Sequence, residues 1–171
     1  GARKEWFSEF CHEVTKRGLS FTWQLPTGVR PEHLTPEVLT AMYQSGCRNI
    51  AFSPERGSER TLKSIRKGFS LDRTVATIKN AKKAGMHVKC NFIIGFPDET
   101  GKDIRQTVAL VLKLAWWGID DAGVYIFTPY TGNDIYQELV ASGVISPSAH
   151  DDNLASYMDF TTSKSVCRAV G

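Results

Sequence analysis

The chain has 171 residues, with 21 basic and 18 acidic side chains, a formal charge of +3, 42% hydrophobic residues and 23% charged ones. That is the composition of one globular domain or a piece of a larger one, and it excludes a disordered chain. The charge forms no long basic block, no apolar run approaches the roughly 20 residues that span a bilayer, and no positively flanked apolar leader precedes Trp6, so a cytoplasmic chain with no nucleic acid indicated and no membrane span is expected.

The first helical pattern reaches Gly18, and residues 21–25 follow as the first expected strand. Thr35-Pro36 sets a capping hydroxyl before a proline at the first helical position, and Val38, Leu39 and Met42 share one face of that second helix. Gly46 closes it, and residues 49–52 form the second strand. Ser58 stands before a short helix through Leu62 and Ile65. Ser70 opens a longer helix with Leu71, Val75, Ile78 and Ala81 on one face, closed by Gly85 and followed by a strand over residues 88–94. Thr100 with Asp103 resembles a capping box, after which Ile104, Val108, Val111 and Ala115 fall on one face. Gly118 closes that helix, and residues 123–127 form the fourth strand. Gly143 leads only to Val144-Ile145, too short for a strand.

Alternating helices and strands with short loops give an α/β fold of parallel strands joined by right-handed crossovers. Periodicity leaves open an open doubly wound sheet or part of a β/α barrel. Residues 1–145 read as the core and 146–171 as a poorly defined C-terminal extension. The start at Gly1, with no initiator methionine, makes a segment of something longer the expectation.

In such folds ligands sit beyond the carboxyl ends of the strands. Four segments fall on that rim: Pro26 to Arg30, Ser53 to Ser58, Gly95 to Thr100, and Thr128 to Gly132. Each has an ordinary structural explanation, since Ser58 caps a helix and Glu99 suits a helix start. Together they suit a free amino-acid end plus a purine. Glu55 would take the ammonium, a serine, an arginine or helix-start amides the carboxylate, and Ile94-Gly95-Phe96 would offer an apolar shelf with close backbone approach. No GxGxxG or GxxxxGK[ST] is present, so an adenosyl amino acid fits better than a phosphate ester.

His12, His33, His87 and His150 are dispersed, and Cys11, Cys47, Cys90 and Cys167 form no CxxC pair. Free thiols are the expectation. With no acid–base set legible, the reactive part must be a cofactor.

The ordered set Leu34-Thr35-Pro36-Glu37, Met42, Ser45-Gly46-Cys47, Glu55-Arg56-Gly57-Ser58, Thr61-Leu62, Ile65 and Lys67-Gly68 resembles the middle of a radical S-adenosylmethionine (SAM) domain. Phe92-Ile93-Ile94-Gly95-Phe96-Pro97-Asp98-Glu99-Thr100 and Thr128-Pro129-Tyr130-Thr131-Gly132 extend the resemblance across nearly the whole chain. It is nearest to the branch that often carries an N-terminal cobalamin-binding domain and includes methyltransferases and the anaerobic magnesium-protoporphyrin ester cyclase.

The resemblance implies a partial (β/α)6 TIM-like barrel of parallel strands, missing its first β/α unit. It implies SAM and a [4Fe–4S] cluster as cofactors, with cobalamin on another domain as that branch's addition. Reductive cleavage of SAM would give a 5′-deoxyadenosyl radical, with an external electron donor and a small-molecule substrate as partners. Carried over by position, Glu55, Gly57 and Ser58 hold the methionine end of SAM. Ile94, Gly95 and Glu99 lie along adenine, Arg30 approaches the carboxylate, and Arg56 points away from the ligand. Tyr125, Phe127 and Tyr130 face the substrate. The family's CxxxCxxC cluster loop is absent, so the resemblance implies cluster ligands outside this chain, an isolated chain that is inactive, and no metal site of its own. The rival readings are a degenerate, non-catalytic barrel that acts as a binding or interaction module, and a phosphate-binding barrel.

Overall fold

The computed structural model describes residues 4–31, 34–64, 70–130 and 132–145. In chain order the elements are α1 (Lys4–Lys16), β1 (Trp23–Val29), α2 (Pro36–Gln44), β2 (Cys47–Glu55), α3 (Glu59–Ser64) and α4 (Leu71–Lys83), then β3 (His87–Ile94), α5 (Gly101–Trp116), β4 (Asp121–Ile126) and α6 (Asp134–Ala141). The chain forms two compact units. One takes the described residues up to 94 together with 98–125; the other takes residues 95–97 and the described residues from 126 onward.

The first unit is built on one sheet in the order β1-β2-β3-β4, with β1 parallel to β2 and β2 parallel to β3. Spatial order follows chain order without reversal. A doubly wound sheet would reverse at a switch point, so this winding is that of a barrel sector. Ile50 and Phe52 of β2 and Val88, Cys90 and Phe92 of β3 point to the helix side of the sheet. There they meet Leu39 and Met42 of α2, Ile78 and Ala81 of α4, and Leu110 and Leu114 of α5 in one buried core.

The expected helix signals hold at several ends. Thr35 Oγ1 accepts the Val38 amide, and Thr100 with Asp103 forms a complete capping box. All five closing glycines, Gly18, Gly46, Gly85, Gly118 and Gly143, have positive φ. Ser70 occupies the N-cap of α4 without a side-chain cap bond. Val144 and Ile145 donate their amides to the Leu139 carbonyl at 3.0 and 3.3 Å, which closes α6 and forms no strand.

Two expectations are corrected. Pro26 to Val29, assigned to the rim, belong to β1, which runs to Val29 with register shifts against β2. A sheet-edge position accommodates Pro26, and a Cβ at Gly28 would lie 2.2 Å from Ser53 Oγ, so the strand continues where its composition suggests a turn. The buried face of α5 is also rotated. Asp103, Thr107, Leu110 and Leu114 are buried, while Val108 and Ala115 are exposed.

In the second unit, Phe96 stacks on Phe127 with ring centroids 4.2 Å apart, and Asn133 caps α6 by accepting the Tyr136 amide at 2.7 Å.

Candidate functional site

The carboxyl ends of neighbouring strands bring the central rim residues of the first unit together. Glu55 ends β2 in register with Phe92, and Ile94 ends β3 two positions further along. Glu55 has φ +63°, the one non-glycine residue with positive φ among those described. A side chain held in this region costs free energy, and such residues persist where the surroundings over-determine them. Arg30 follows β1 and is exposed. Gly95, with φ +85°, leaves β3 and belongs to the second unit.

Beyond Glu55, the turn into α3 is tied to the start of α5 by charge and hydrogen bonds. Arg56 is only 1% exposed. Its Nη1 donates to the Thr61 carbonyl and to both Asp98 carboxylate oxygens at 3.2 Å, while its Nε lies 4.0 Å from Glu99 Oε1. The Glu99 side chain is fully enclosed. A buried guanidinium facing two carboxylates meets the requirement that charge leaving water be paired.

The second tie is centred on Asp103. Ser58 donates to its Oδ1 at 2.6 Å, Thr100 Oγ1 and the Thr100 amide donate to its Oδ2 at 2.6 and 2.9 Å, and Arg60 pairs with the same oxygen. The Arg60 guanidinium first, then the Ser58 and Thr100 hydroxyls, hold the Asp103 carboxyl far below the usual carboxylate range. Thr107 Oγ1 donates to the Asp103 carbonyl at 3.2 Å and accepts the Gly57 amide at 2.9 Å. A Cβ at Gly57 would lie 2.6 Å from the Gln106 carbonyl oxygen and from Thr107 Cα, so glycine lets the turn lie on the helix.

The residues expected along SAM, Glu55, Gly57 and Ser58 at its methionine end and Glu99 along its adenine, therefore differ in what they do. The Gly57 amide is bound to Thr107, the Ser58 hydroxyl proton goes to Asp103, and the Glu99 carboxylate faces Arg56. Glu55 sits at the end of β2, in register with Phe92 of β3. The buried roles of Asp103 and Thr107 escape notice in the sequence because polar residues on a helix that also carries Lys102, Arg105 and Gln106 read as solvent-facing. The capping-box spacing of Thr100 and Asp103 is the one signal that marks this stretch.

Of the residues expected to face a substrate, Tyr125 lies on the sheet face opposite the helix-packed core. There it lines a cavity with Asn49, Lys89, Asn91 and Asp121. Phe127 and Tyr130 belong to the second unit, where Phe127 is half-buried against Phe96 and Tyr130 is exposed.

The two expected cofactors fare differently against these residues. A carboxylate residue at the end of β2 and an apolar one at the end of neighbouring β3 supply the chemistry an ammonium and a purine need, so SAM fits the residues present. An iron–sulfur cluster needs thiolates. Cys11, Cys47 and Cys90 are free and buried in the core, and burial raises all three, pushing Cys47 and Cys90 up to about 12. They remain thiols at neutral pH. Among the described residues no three His, Cys, Asp or Glu side chains gather to hold a metal, and Cys167 lies outside those residues. The cluster does not fit this part of the chain. No described helix is long and apolar enough to cross a membrane.

A family model described as the radical SAM superfamily matches residues 8–111, more than half of the chain. An uncharacterized methyltransferase of Pyrococcus horikoshii is 33% identical over 132 residues, 77% of this chain and 28% of that protein. The cytidylyl-2-hydroxyethylphosphonate methyltransferase of Streptomyces wedmorensis is 32% identical over 129 residues, 73% of this chain and 24% of that protein. Proteins named tRNA-2-methylthio-N(6)-dimethylallyladenosine synthase also match. The radical SAM methyltransferase TsrM of Kitasatospora setae, solved with cobalamin and a [4Fe–4S] cluster, shares the fold. Its TM-score is 0.59 at 15% identity, over 70% of this chain and 24% of that one. The chain thus spans about a quarter of the length of the relatives it matches.

Proposed function

Because the chain belongs to the radical SAM superfamily, we propose that it supplies the SAM-holding sector of an enzyme that reductively cleaves SAM at a [4Fe–4S] cluster whose ligands lie outside the chain. Bound in the whole protein, SAM and the cluster would supply radical chemistry for hydrogen abstraction from a small-molecule substrate. Within this chain, Glu55 accepts the ammonium of SAM, Ile94 and Gly95 offer backbone and an apolar edge to adenine, and Arg30 reaches the carboxylate. Gly57, Ser58 and Glu99 serve the same site by fixing the turn that carries Glu55. Tyr125, Phe127 and Tyr130 face the substrate. The methyltransferase names among the relatives favour methyl transfer, with cobalamin on another domain and an external electron donor; cyclisation is the other outcome of the same branch. A cytoplasmic setting with no nucleic-acid partner completes the proposal.

The observation that carries this reading is the left-handed Glu55 at the end of β2, beside the end of β3. Titration of SAM into the cluster-loaded full-length protein tests it. Glu55→Ala is expected to weaken SAM about tenfold or more, the scale of a lost charge-assisted hydrogen bond. Unchanged affinity would move the cradle off this turn. SAM bound but never cleaved under reducing conditions would favour the binding-module alternative, and modification of added tRNA would replace the small-molecule substrate.

A further inference from the structure

Helix α5 is apolar on two sides. Its buried stripe, Asp103, Thr107, Leu110 and Leu114, begins with two polar residues, while the opposite side carries Val108, Leu112 and Trp116, each one turn from the next. Val108 is 44% exposed, Leu112 65% and Trp116 90%. At the helical rise these three form a ridge about 12 Å long. A single apolar side chain at a surface needs no explanation, but an aligned set that ends in a bare indole marks an interaction site. An amphipathic helix would present polar residues there, and one that is apolar all round is covered all round in use.

The charges beside the ridge are of one sign. Asp103 is the only carboxylate of α5, and it is buried against Ser58, Thr100 and Arg60, whereas Lys102, Arg105 and Lys113 are exposed. Trp117, the C-cap of α5, draws two ammonium groups to the Trp116 end. Lys79 Nζ of α4 lies 3.3 Å from its ring centroid and Lys113 Nζ 4.9 Å. Lys83 is exposed in the last turn of α4, as Lys113 is in that of α5. Of the carboxylates on these elements, Asp120 is bonded to Lys82 at 2.6 Å and Asp72 stands in the first turn of α4, away from the indole. The ridge therefore ends in net positive charge.

We propose that the Val108, Leu112 and Trp116 ridge docks on an anionic lipid bilayer, with the indole and the leucine entering the headgroup boundary and Lys79, Lys83 and Lys113 facing the lipid charge. An indole and aliphatic side chains on one helix face with cations on the flank suit an interfacial helix, and each lysine near an anionic leaflet adds to the attraction. Lysine also chooses the partner. The cations gathered at the indole are all lysines, which protein interfaces exclude in favour of arginine, whereas a lysine at a bilayer lays its stem along apolar surface and keeps its ammonium among the headgroups. No described helix is long and apolar enough to cross a membrane, so the attachment is peripheral, with one face of α5 along the boundary. None of the residues assigned to SAM lies on the ridge, so docking and SAM binding are separable.

The test is sedimentation of the full-length protein with vesicles of phosphatidylcholine alone or mixed with phosphatidylserine. The mixed vesicles are expected to bind it about tenfold or more tightly than the neutral ones, and added salt to erase the difference. The double variant Leu112→Ser, Trp116→Ser is expected to lose about tenfold or more on the mixed vesicles with its unfolding midpoint unchanged, because both side chains already stand in water. Lys83→Gln is expected to lose about fivefold, the share of one basic residue near an anionic surface. Absence of binding to the mixed vesicles, equal binding to the neutral ones, or a double variant that binds as well as the wild type would overturn the proposal. Trp116 emission, taken as the difference between wild type and Trp116→Phe, is expected to be open to acrylamide before vesicles are added and closed afterwards. Emission already closed beforehand would give the ridge to a protein surface, the protein's own or a second copy's, and overturn the proposal as well. SAM affinity of the double variant, measured without vesicles, is expected to match the wild type.

Discussion

Glu55 departs further than any other described side-chain-bearing residue from the backbone its chemistry prefers. A left-handed conformation costs a residue with a Cβ roughly 1–2 kcal/mol, and glycine recovers this less its own extra chain entropy. Glu55→Gly is therefore expected to raise the unfolding free energy by about 0.5 kcal/mol in urea denaturation while weakening SAM. A stabilised protein that binds less well would show that the strain is retained for the carboxylate. A destabilised one would show that the Glu55 side chain holds the turn. The sequence places Glu55 on the rim because it follows the second expected strand, and the structure carries that strand on through Glu55 itself. Its φ is not legible there, since nothing local requires a left-handed glutamate. Arg56 was expected to turn from the ligand, and it is found buried against Asp98 and Glu99.

Among the elements, α5 shows most clearly where periodicity stops being sufficient. Ile104, Val108, Val111 and Ala115 are evenly spaced for a helix face, yet the buried stripe lies one position earlier, at Asp103, Thr107, Leu110 and Leu114. The polar partners decide it: Asp103 collects Ser58, Arg60 and Thr100, and Thr107 collects Gly57. Turning the helix to bury Val108 would break these bonds. The capping residues were readable because they act within four positions of each other. The other partners, Ser58 and Arg60 of Asp103 and Gly57 of Thr107, lie more than 40 residues upstream, where no local pattern reaches. Gly57→Ala is expected to destabilise the protein by about 1–3 kcal/mol, because the new methyl meets helix backbone that cannot step aside. Thermal or chemical unfolding measures it, and a neutral substitution would mean that the turn does not rest on α5.

For the molecule as a whole, the winding order was half legible. Alternating helices and strands gave a parallel α/β sheet, and the unreversed order β1-β2-β3-β4 turns it into a barrel sector. The edge strand β1 was cut short in the sequence because proline and glycine read as a turn, although an edge tolerates both. Stability should also respond to acid through Asp103. Its carboxyl titrates lower folded than unfolded, so its contribution is complete above about pH 4, the unfolded value, and is lost as pH falls below it. The difference in unfolding free energy between the wild type and Asp103→Asn is expected to be largest near neutrality and to shrink on acidification. A difference that stays constant with pH would show that the carboxylate charge is not what holds the network.

One amide offers a direct readout of that network. The Gly57 N–H belongs to a turn, yet it is bound to a threonine on a helix 50 positions later in the chain. Deuterium should enter it no faster than it enters the central strands, since releasing it requires the turn and the helix to part. Its exchange rate, followed while the flanking turn exchanges freely, would report from a single nucleus how often that seam opens.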